Sequence, residues 1–470
     1  MRNSKEFIND NFLLENEVSR SLFHTVAKDL PIIDYHNHID PLHLAQDKTF
    51  DNIAELWVTG DPYKHRAMRI NGIAEKDITG STTDQERFRF WAKTVPKTLG
   101  NPLFHWSCLE LKRVFGIDEI LTESSARRIW DMCNSQLQKK DFTAAQIMKG
   151  WNVEALCTSD DWFQDLSVHK EASLKTGFSV LPSLRADAAL NFSSWNTTDF
   201  LDKLSEITNI TISQLEDFQR ALVDRLEYFG NNGCRLSDHA LNAGFVFEIC
   251  PEDKAKKLFR SVLDGIQLST REDVQLQSFI LGFLGKEYDK LGWTMQLHIG
   301  AQRNTSSRLQ KLAGGAGGYA GIGKTADIAS ICSFFDFLEK GGGLPGIILY
   351  TLNPNDNEAF ATLTGSFSED GKPGKIQFGP AWWYNDHFNG IENQLLTISN
   401  YGLLSRFIGM TTDSRSLLSF SRHEYFRRIA CNMIGKWVER GHLPKDDGLL
   451  TELIKNISYT NSKNLILDGA

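Results

Sequence analysis

Short apolar runs recur along the chain and alternate with longer segments whose apolar residues have helical spacing. About eight such runs occur, at residues 30–36, 153–158, 178–184, 234–238, 293–298, 346–351, 375–379 and 404–411. Strands that alternate with helices favour parallel pairing through right-handed crossovers. An open doubly wound sheet would show the same alternation, but the number of runs and the chain length favour a closed barrel. We therefore predict an α/β fold, a (β/α)8 TIM barrel.

The interval between the first two runs is far too long for an ordinary loop. It contains four segments with helical patterns, at residues 52–59, 84–94, 105–115 and 126–138. We predict that it forms a large helical insertion after strand 1, over the barrel mouth. The predicted organisation is an N-terminal helical segment at 1–29, the barrel at 30–39 and 151–418, the insertion at 40–150, and a C-terminal helix and tail at 419–470.

Charge and cysteine usage exclude several classes of protein. The 51 Lys and Arg residues against 59 Asp and Glu give a net charge of −8, which disfavours nonspecific binding to nucleic acid or anionic membranes. The 7 cysteines are scattered and form no C-x-x-C pair, so neither a disulfide framework nor a zinc ribbon is indicated. The N-terminus lacks the apolar core of a signal peptide. We expect a cytoplasmic protein with no nucleic-acid and no membrane partner.

Two histidines close the first apolar run, in the sequence PIIDYHNH at residues 31–38. On a strand, residues i and i+2 point to the same side, so His36 and His38 can meet one ion. Neutral imidazole suits zinc and other borderline divalent metals. An isolated H-x-H pair is more often structural. Its position at the carboxyl end of the first predicted strand nevertheless favours a metal site.

Two further runs end in residues that could join this site. His298 closes the run at 293–298, and Asp413 follows the run at 404–411. An H-x-H pair on the first strand, a histidine on the fifth and an aspartate on the eighth resemble the amidohydrolase superfamily, in which such groups surround a metal at the barrel mouth. We predict that His36, His38 and Asp413 hold one divalent metal ion, with zinc favoured.

A competing motif lies in a glycine-rich stretch at residues 313–323. Residues 318–325, GYAGIGKT, fit the G-x-x-x-x-G-K-[ST] pattern of phosphate-binding loops. A loop of that kind follows a buried strand and opens a helix. The preceding residues do not have a strand pattern, and abundant glycine makes a chance match easier. We interpret the stretch as a flexible loop and keep nucleotide binding as an alternative.

Many segments match, in order, the uronate isomerase (glucuronate isomerase) family of the amidohydrolase superfamily. They are residues 34–38, 55–57, 63–64, 66–72, 105–106, 109–111, 297–304, 352–354, 382–383, 412–416 and 422–428. The resemblance covers nearly the whole chain. It implies aldose–ketose isomerisation of hexuronates, D-glucuronate to D-fructuronate and D-galacturonate to D-tagaturonate, through a cis-enediol. The expected partner is a small-molecule hexuronate, and we expect a homo-oligomer.

The resemblance also implies roles for individual residues. Asp413 would begin proton removal, and Tyr63 and Arg415 would polarise and shuttle protons at the C1 and C2 oxygens. His298 would be a ligand or a nearby hydrogen-bonding group. The remaining candidates would bind substrate: Arg185 and Arg303 through its carboxylate or hydroxyls, Trp382 as a wall, and His65 in place of a missing histidine.

The chain departs from the family pattern at four positions. Asn37 stands where cysteine is common and should point away from the metal, whereas Pro62 replaces a histidine and removes a substrate or proton contact. Trp162 and Ala186 stand where proline is usual. The alternative function is a metal-dependent hydrolase or deaminase of the same superfamily. Such enzymes often use a carbamylated lysine or a sixth-strand histidine, and the run at 346–351 ends in neither.

Overall fold

The computed structural model of the chain describes residues 7–192 and 197–468. Residues 1–6 of the predicted N-terminal segment and residues 469–470 of the predicted tail lie outside this description. The strands are β1 Ile32–Asp34, β2 Val153–Cys157, β3 Ser179–Leu181, β4 Leu184–Arg185, β5 Leu236–Asn242, β6 Thr294–Ile299, β7 Ala301–Gln302, β8 Gly321–Ile322, β9 Gly346–Thr351 and β10 Ile376–Phe378.

Two parallel sheets form the centre of the fold. One has the strand order β1-β2-β3 and the other β10-β9-β6-β5-β4, and every pairing within them is parallel. A parallel bridge between Asp160 and Leu184 links the two sheets. Strands β7 and β8 form a separate antiparallel pair. The predicted α/β class with parallel strands is confirmed.

The last predicted strand, at residues 404–411, is wrong. Leu404–Arg406 is a turn of 3-10 helix, and residues 407–411 have no strand conformation. Gly409 has a φ of 95°, and a Cβ there would lie 2.6 Å from the Ile457 carbonyl oxygen. This close approach and the left-handed backbone are incompatible with a regular extended ladder. Among the described strands, therefore, no closed sheet is formed.

Residues 411–414 nevertheless run beside the carboxyl end of β1. The Asp413 amide donates to the His36 carbonyl at 3.0 Å, and the His38 amide donates to the Ser414 carbonyl at 2.9 Å. On the other side, the Ile408 amide donates to the side chain of Gln377, in the strand segment of β10. The first and last segments of the central framework are thus adjacent, through a few specific hydrogen bonds rather than a ladder.

Helices surround the sheets and fill the interval between β1 and β2. The α-helices are α1 Glu17–Leu22, α2 Pro41–Ala45, α3 Ile53–Trp57, α4 Pro62–Ile70, α5 Glu75–Ile78, α6 Asp84–Thr94, α7 Pro102–Phe115, α8 Ala126–Leu137, α9 Ala144–Gly150, α10 Ser167–Thr176, α11 Thr197–Thr208, α12 Leu215–Asn231, α13 Glu252–Leu263, α14 Thr270–Lys290, α15 Ser307–Ala313, α16 Ile328–Lys340, α17 Asn357–Ser366, α18 Phe388–Tyr401, α19 Ser421–Glu439, α20 Asp447–Lys455 and α21 Asn461–Lys463. In the described part of the chain, no helix is both long and apolar enough to cross a membrane.

The four helices predicted between the first two strands correspond to α3, α6, α7 and α8. The other helices of this interval, α2, α4, α5 and α9, were not predicted because they have few periodic apolar positions. Helix α4 illustrates the capping interactions that form these helices. The Asp61 side chain accepts hydrogen bonds from the amides of Tyr63 and Lys64, and Pro62 occupies the first helical position.

A buried ion network fixes α4 against α3 and α7. The Lys64 ammonium pairs with Asp61 and lies 3.9 Å from Glu110 Oε2. The indole N–H of Trp57 donates to the same Glu110 oxygen at 2.5 Å. Buried charges persist only when they are paired and hydrogen-bonded, so these contacts specify one position for α4 and for Tyr63 on its first turn.

The side chain of Asp34 joins the two ends of the framework. Thr411 Oγ1 donates to its Oδ1 at 2.8 Å and Thr412 Oγ1 to its Oδ2 at 2.7 Å, while the Thr412 amide donates to Oδ1 at 2.7 Å. His423, on α19, lies 3.2 Å from Oδ1. Burial opposes ionisation, but His423 and Thr412 hold the pKa of Asp34 below its usual value. A buried carboxylate thus anchors the segment that carries Asp413.

Replacing Asp34 with alanine should destabilise the protein strongly. The substitution leaves His423 and both the hydroxyl and the amide of Thr412 buried without this acceptor, and we expect a loss of about 3–5 kcal/mol in the free energy of unfolding. Urea denaturation followed by circular dichroism measures it. The control is Asp131→Ala, in an exposed pair with Arg127, which should change stability by less than about 0.5 kcal/mol. Equal stability of the two variants would contradict the anchoring role.

Candidate active site

Three of the predicted ligands meet at the carboxyl end of β1. His36 Nε2 lies 3.3 Å and His38 Nε2 lies 2.9 Å from the same oxygen, Asp413 Oδ1. Both histidines lie just beyond β1, which ends at Asp34, and the backbone bonds to residues 413 and 414 bring the carboxylate to them. The convergence predicted from the sequence is therefore present in the tertiary structure.

A second group shares His36 with the first. His298 Nδ1, at the end of β6, lies 2.8 Å from Asp238 Oδ1 on β5. Donor atoms of His36, Asp238 and His298 all lie within 4.8 Å of one another, as do those of His36, His38 and Asp413. The His298 ring stacks on Tyr350 with centroids 4.2 Å apart. His298 thus lies beside the ligand group and is held by a carboxylate and a ring.

The donor chemistry fits a divalent metal ion. Two imidazole nitrogens and one carboxylate oxygen form a set that borderline cations such as zinc accept. His36 Nδ1 and His298 Nε2 are buried and have no hydrogen-bond partner among the described residues. Buried polar atoms in native proteins are nearly always satisfied, so these orphaned nitrogens indicate room for a ligand or water that completes the site.

The electrostatics of this group favour an ionised Asp413. Burial opposes its charge, but hydrogen bonds from His36 and His38 hold the pKa of Asp413 well below its usual value. Burial lowers the pKa of His38, whereas the carboxylates of Asp238 and Asp413 outweigh burial and raise the pKa of His36. A carboxylate anion among imidazoles is suited to cation binding.

Asp413 has an unusual backbone and two further partners. Its φ is 45°, in the left-handed region that L residues rarely occupy. The indole N–H groups of Trp382 and Trp383 both donate to Asp413 Oδ2, at 2.8 and 2.6 Å. Trp382, predicted as a substrate wall, is therefore also a hydrogen-bond donor to the carboxylate. The partner role of Trp383 had no separate signal in the sequence.

Tyr63 and Arg415 line the same cavity as the ligand group. The Tyr63 hydroxyl is buried without a hydrogen-bond partner among the described residues. Burial raises the pKa of Tyr63 well above its usual value, and the charge of Asp413 adds to the effect. Arg415 is exposed. The site thus combines a hydroxyl that stays protonated with a cation at its mouth.

The two predicted substrate arginines also line this cavity. Arg185 Nη2 lies 3.1 Å from His38 Nδ1, and its Nε lies 3.9 Å from Asp238 Oδ2. Arg303 donates to the side chain of Asn242 at 2.8 Å. His65, in contrast, does not line the cavity; its Nε2 lies 3.0 Å from the Val58 carbonyl oxygen. The structure brings the arginines to the site and places His65 in the packing of α4.

Three charged residues that were not predicted as site residues also line the cavity: Asp187, Asp238 and Arg66. Asp238 closes the apolar run at 234–238, a signal of the same kind as the one that indicated His298, so the sequence pattern could have identified it. Burial and the charge of Asp238 raise the pKa of Asp187 to about 6. Arg66 lies in a helical segment with several cationic residues. Such residues usually face solvent, so the sequence pattern did not indicate that Arg66 lines the cavity.

Two of the departures from the family pattern contact each other. The Trp162 indole N–H lies 3.4 Å from the Ala186 carbonyl oxygen, and the Ala186 amide donates to the Asp238 carbonyl at 3.0 Å. A proline at 186 could not donate this hydrogen bond. Asn37 bonds to Asp34 and to the Ile39 amide, so its side chain points away from the ligand group as expected.

The cavity has a volume of about 610 Å³, typical of small-molecule sites. Helix α4, the glycine-rich stretch and residues 382–384 enclose it. The Ala320 carbonyl accepts hydrogen bonds from Arg66 at 3.0 Å and from Tyr384 at 2.6 Å. Gly318 has a φ of 76°, and a Cβ there would lie 2.2 Å from the Pro62 carbonyl oxygen. Only glycine permits this approach, which seats the stretch on α4.

The phosphate-loop pattern lacks the required context. Helix α15, not a strand, precedes residues 318–325, and α16 begins only at residue 328. Residues 321–322 form β8, which pairs with β7. In this part of the described chain, no loop connects a buried strand to the N-terminus of a helix. The geometry of residues 318–325 therefore does not support nucleotide binding.

Replacing His38 with asparagine should weaken metal binding. The change removes one of three donor atoms, and we expect the affinity for zinc to fall at least about 100-fold. Titration of the chelator-treated protein against a chromogenic chelator measures it. The control is His43→Asn, which alters a half-exposed imidazole on α2 and should leave the affinity unchanged. Wild-type affinity in the His38 variant would contradict the assignment.

Replacing Gly318 with alanine should unseat the glycine-rich stretch from α4. The added Cβ meets a backbone oxygen in a strained conformation, so we expect tryptic cleavage after Lys311 and Lys324 to accelerate about tenfold or more. The control is Gly315→Ala in the same stretch, where a Cβ would have no atom within 4 Å. If both variants resist trypsin as well as the wild type, the seating contact is unimportant.

Comparison with known proteins finds relatives over nearly the whole chain. The sequence model of the glucuronate isomerase family matches residues 4–466. A uronate isomerase of Oceanobacillus iheyensis is 44% identical over 460 residues, 97% of each chain, and one of Bacillus licheniformis is 45% identical over 461 residues, 98% of this chain and 97% of that one. The crystal structure of uronate isomerase from Thermotoga maritima is similar with a TM-score of 0.92 and 32% identity, covering 98% of this chain and 100% of that one.

Proposed function

Because this chain belongs to the glucuronate isomerase family, we propose that the cavity around His36, His38 and Asp413 isomerises hexuronates. The protein is a uronate isomerase, an enzyme that interconverts an aldose and a ketose sugar acid. The proposed reactions are D-glucuronate to D-fructuronate and D-galacturonate to D-tagaturonate. The observation that carries the assignment to this cavity is the convergence of both histidines on one Asp413 oxygen, within 3.3 Å.

The reaction moves two protons, one from C2 to C1 and one from O2 to O1, and keeps the atoms of the sugar. The C2–H bond breaks, its electron pair forms a C1=C2 double bond, and the C1 carbonyl oxygen takes a proton, giving a cis-enediol. The O2 hydroxyl then loses its proton, a C2 carbonyl forms, and C1 gains a proton. The enzyme must supply a base, a proton donor and stabilisation of the anionic enediol.

Asp413 is the proposed base, and Tyr63 and Arg415 are proposed to polarise the C1 and C2 oxygens of the substrate and to transfer protons there. The lowered pKa of Asp413 keeps it an anion that can begin proton removal, directly or through a substrate hydroxyl. The buried Tyr63 hydroxyl has a raised pKa and has no hydrogen-bond partner among the described residues, so it is available to donate to a developing oxyanion. Arg415, exposed at the mouth, adds positive charge and shares in proton transfer.

Recognition of the sugar acid falls to the arginines and the metal site. Arg185 and Arg303 line the cavity and suit the carboxylate or hydroxyls, because a planar guanidinium binds such groups through two donors. Trp382 contributes the wall beside His298, with ring centroids 4.8 Å apart. A divalent cation held by His36, His38 and Asp413, zinc in our proposal, would polarise substrate oxygens and offset negative charge.

The same proposal extends to the architecture. The adjacency of residues 411–414 to β1 and the bridge between the two sheets support a (β/α)8 barrel of eight segments, the last of which is irregular. Tyr63 and Arg66, both on α4, line the cavity, which supports residues 40–150 as an insertion over the barrel mouth. The division into 1–29, the barrel and 419–470, and the homo-oligomer, stay predictions.

The purified protein supplied with zinc should convert D-glucuronate and D-galacturonate to ketoses. Ketose formation is read by coupled reduction, with oxidation of a nicotinamide as the signal. His36→Asn should remove the activity while the protein remains folded by circular dichroism. If neither sugar acid is turned over by folded wild-type protein at any metal loading, the proposed function is wrong, and the Pro62 departure becomes the first explanation to test.

Replacing Tyr63 with phenylalanine should lower kcat by about 10²–10⁴-fold and change KM little. The variant keeps the buried ring and removes only the hydroxyl that donates in the transition state. The control is Tyr459→Phe, which removes a hydroxyl that donates to Glu154 outside the cavity. A Tyr63 variant with wild-type kcat would exclude the hydroxyl from proton transfer.

A further inference from the structure

We propose that Trp382 and Trp383 are positioning residues that hold the Asp413 carboxylate by one oxygen and reserve the other for the metal site. This inference rests on the proposed function, in which Asp413 is both ligand and base. Both indole N–H groups donate to Oδ2, at 2.8 and 2.6 Å. Neither of these hydrogen bonds involves Oδ1. We call these two tryptophans the indole pair.

The two oxygens of Asp413 have separate partners. A carboxylate oxygen has two lone pairs in the carboxylate plane, and the two indole donors can occupy both on Oδ2. Oδ1 faces His38 Nε2 at 2.9 Å and His36 Nε2 at 3.3 Å. An ion held by these imidazoles would therefore meet Oδ1 alone, and Asp413 would bind it through one oxygen.

The backbone on both sides of this contact is in a rare conformation. Asp413 has a φ of 45° and Trp383 a φ of 46°, both in the left-handed region that favours glycine. Strained residues persist when the surrounding contacts determine them, and they cluster at functional sites. The hydrogen bond between Trp383 and Asp413 joins the two strained residues directly, so each helps to maintain the conformation of the other.

Neighbouring side chains hold the indole pair in place. The two rings lie with centroids 4.6 Å apart, and the Trp382 ring lies 4.8 Å from that of His298. The Arg303 guanidinium lies over the Trp383 ring at 5.1 Å, within the range of a cation–π contact. Trp382 is buried at 4% exposure. These contacts hold both indole donors in position, as a positioning role requires.

The indole pair could instead act only as an apolar wall for the sugar. The two roles use different atoms, because a wall uses the ring face whereas positioning uses the N–H. Phenylalanine keeps an aromatic face and removes the donor. Trp382→Phe, Trp383→Phe and the double substitution therefore distinguish the roles. Trp151→Phe is the matched control, because it removes an indole donor to the Leu417 carbonyl at 2.9 Å outside the cavity.

The decisive readout is cobalt(II) binding to the chelator-treated protein, followed by visible absorption and by chelator competition. We expect each single variant to lose about tenfold in affinity and the double variant about 100-fold, with Trp151→Phe unchanged. The absorption per cobalt should fall, because a released carboxylate can bind through both oxygens and raise the coordination number. At saturating metal, kcat should fall while KM changes less than about threefold.

Wild-type cobalt affinity and spectrum in both single variants, with only KM raised, would overturn the proposal and leave the pair as a wall. Trp383 is only partly buried, so Trp383→Phe should fold. If Trp382→Phe does not fold, Trp383→Phe by itself tests the positioning role. The cobalt readout needs no turnover. If wild-type protein isomerises no uronate but the variants still weaken cobalt binding, the proposed function fails and the positioning role stands.

Discussion

The site depends on one buried carboxylate that is not itself a ligand. Asp34 accepts hydrogen bonds from Thr411 and Thr412 and contacts His423, and these residues lie near the opposite end of the chain. A buried anion must be satisfied by several donors, so the arrangement is far more specific than apolar packing. Because Asp34 is two residues from His36 and Thr412 is next to Asp413, satisfying this carboxylate also brings the ligands together.

Cationic side chains are concentrated at the cavity, although both the protein and its substrate carry a net negative charge. The net charge of −8 would repel a sugar acid at a distance, but Arg66, Arg185, Arg303 and Arg415 line the cavity together with the proposed metal ligands. At short range in a partly desolvated cavity, local cations outweigh the distant field. The acidic residues Asp187 and Asp238 lie in the same cavity, where their carboxylates can orient the arginines and accept hydrogen bonds from hydroxyls.

Much of the site could be predicted because its residues obey local rules. The i, i+2 spacing of His36 and His38 after an apolar run indicated a shared ion, and His298 closes another such run, so these candidates follow from patterns within a few residues. The predicted strand at 404–411 failed because Gly409 packs on the Ile457 carbonyl, a contact between distant segments. His65 was expected to bind substrate in place of the histidine that Pro62 replaces, yet its Nε2 lies 3.0 Å from the Val58 carbonyl oxygen, within the packing of α4.

The sequence by itself determined the α/β class, the family and the identities of the donors, since these depend on periodicity and on short motifs. Only the tertiary structure decided which oxygen of Asp413 faces the histidines and that two indole N–H groups occupy the other. It also decided that Gly318 rests on Pro62 and that Arg66 faces the cavity. These contacts join segments far apart in the chain, and their geometry is set by the packing of the whole molecule rather than by local conformational preference.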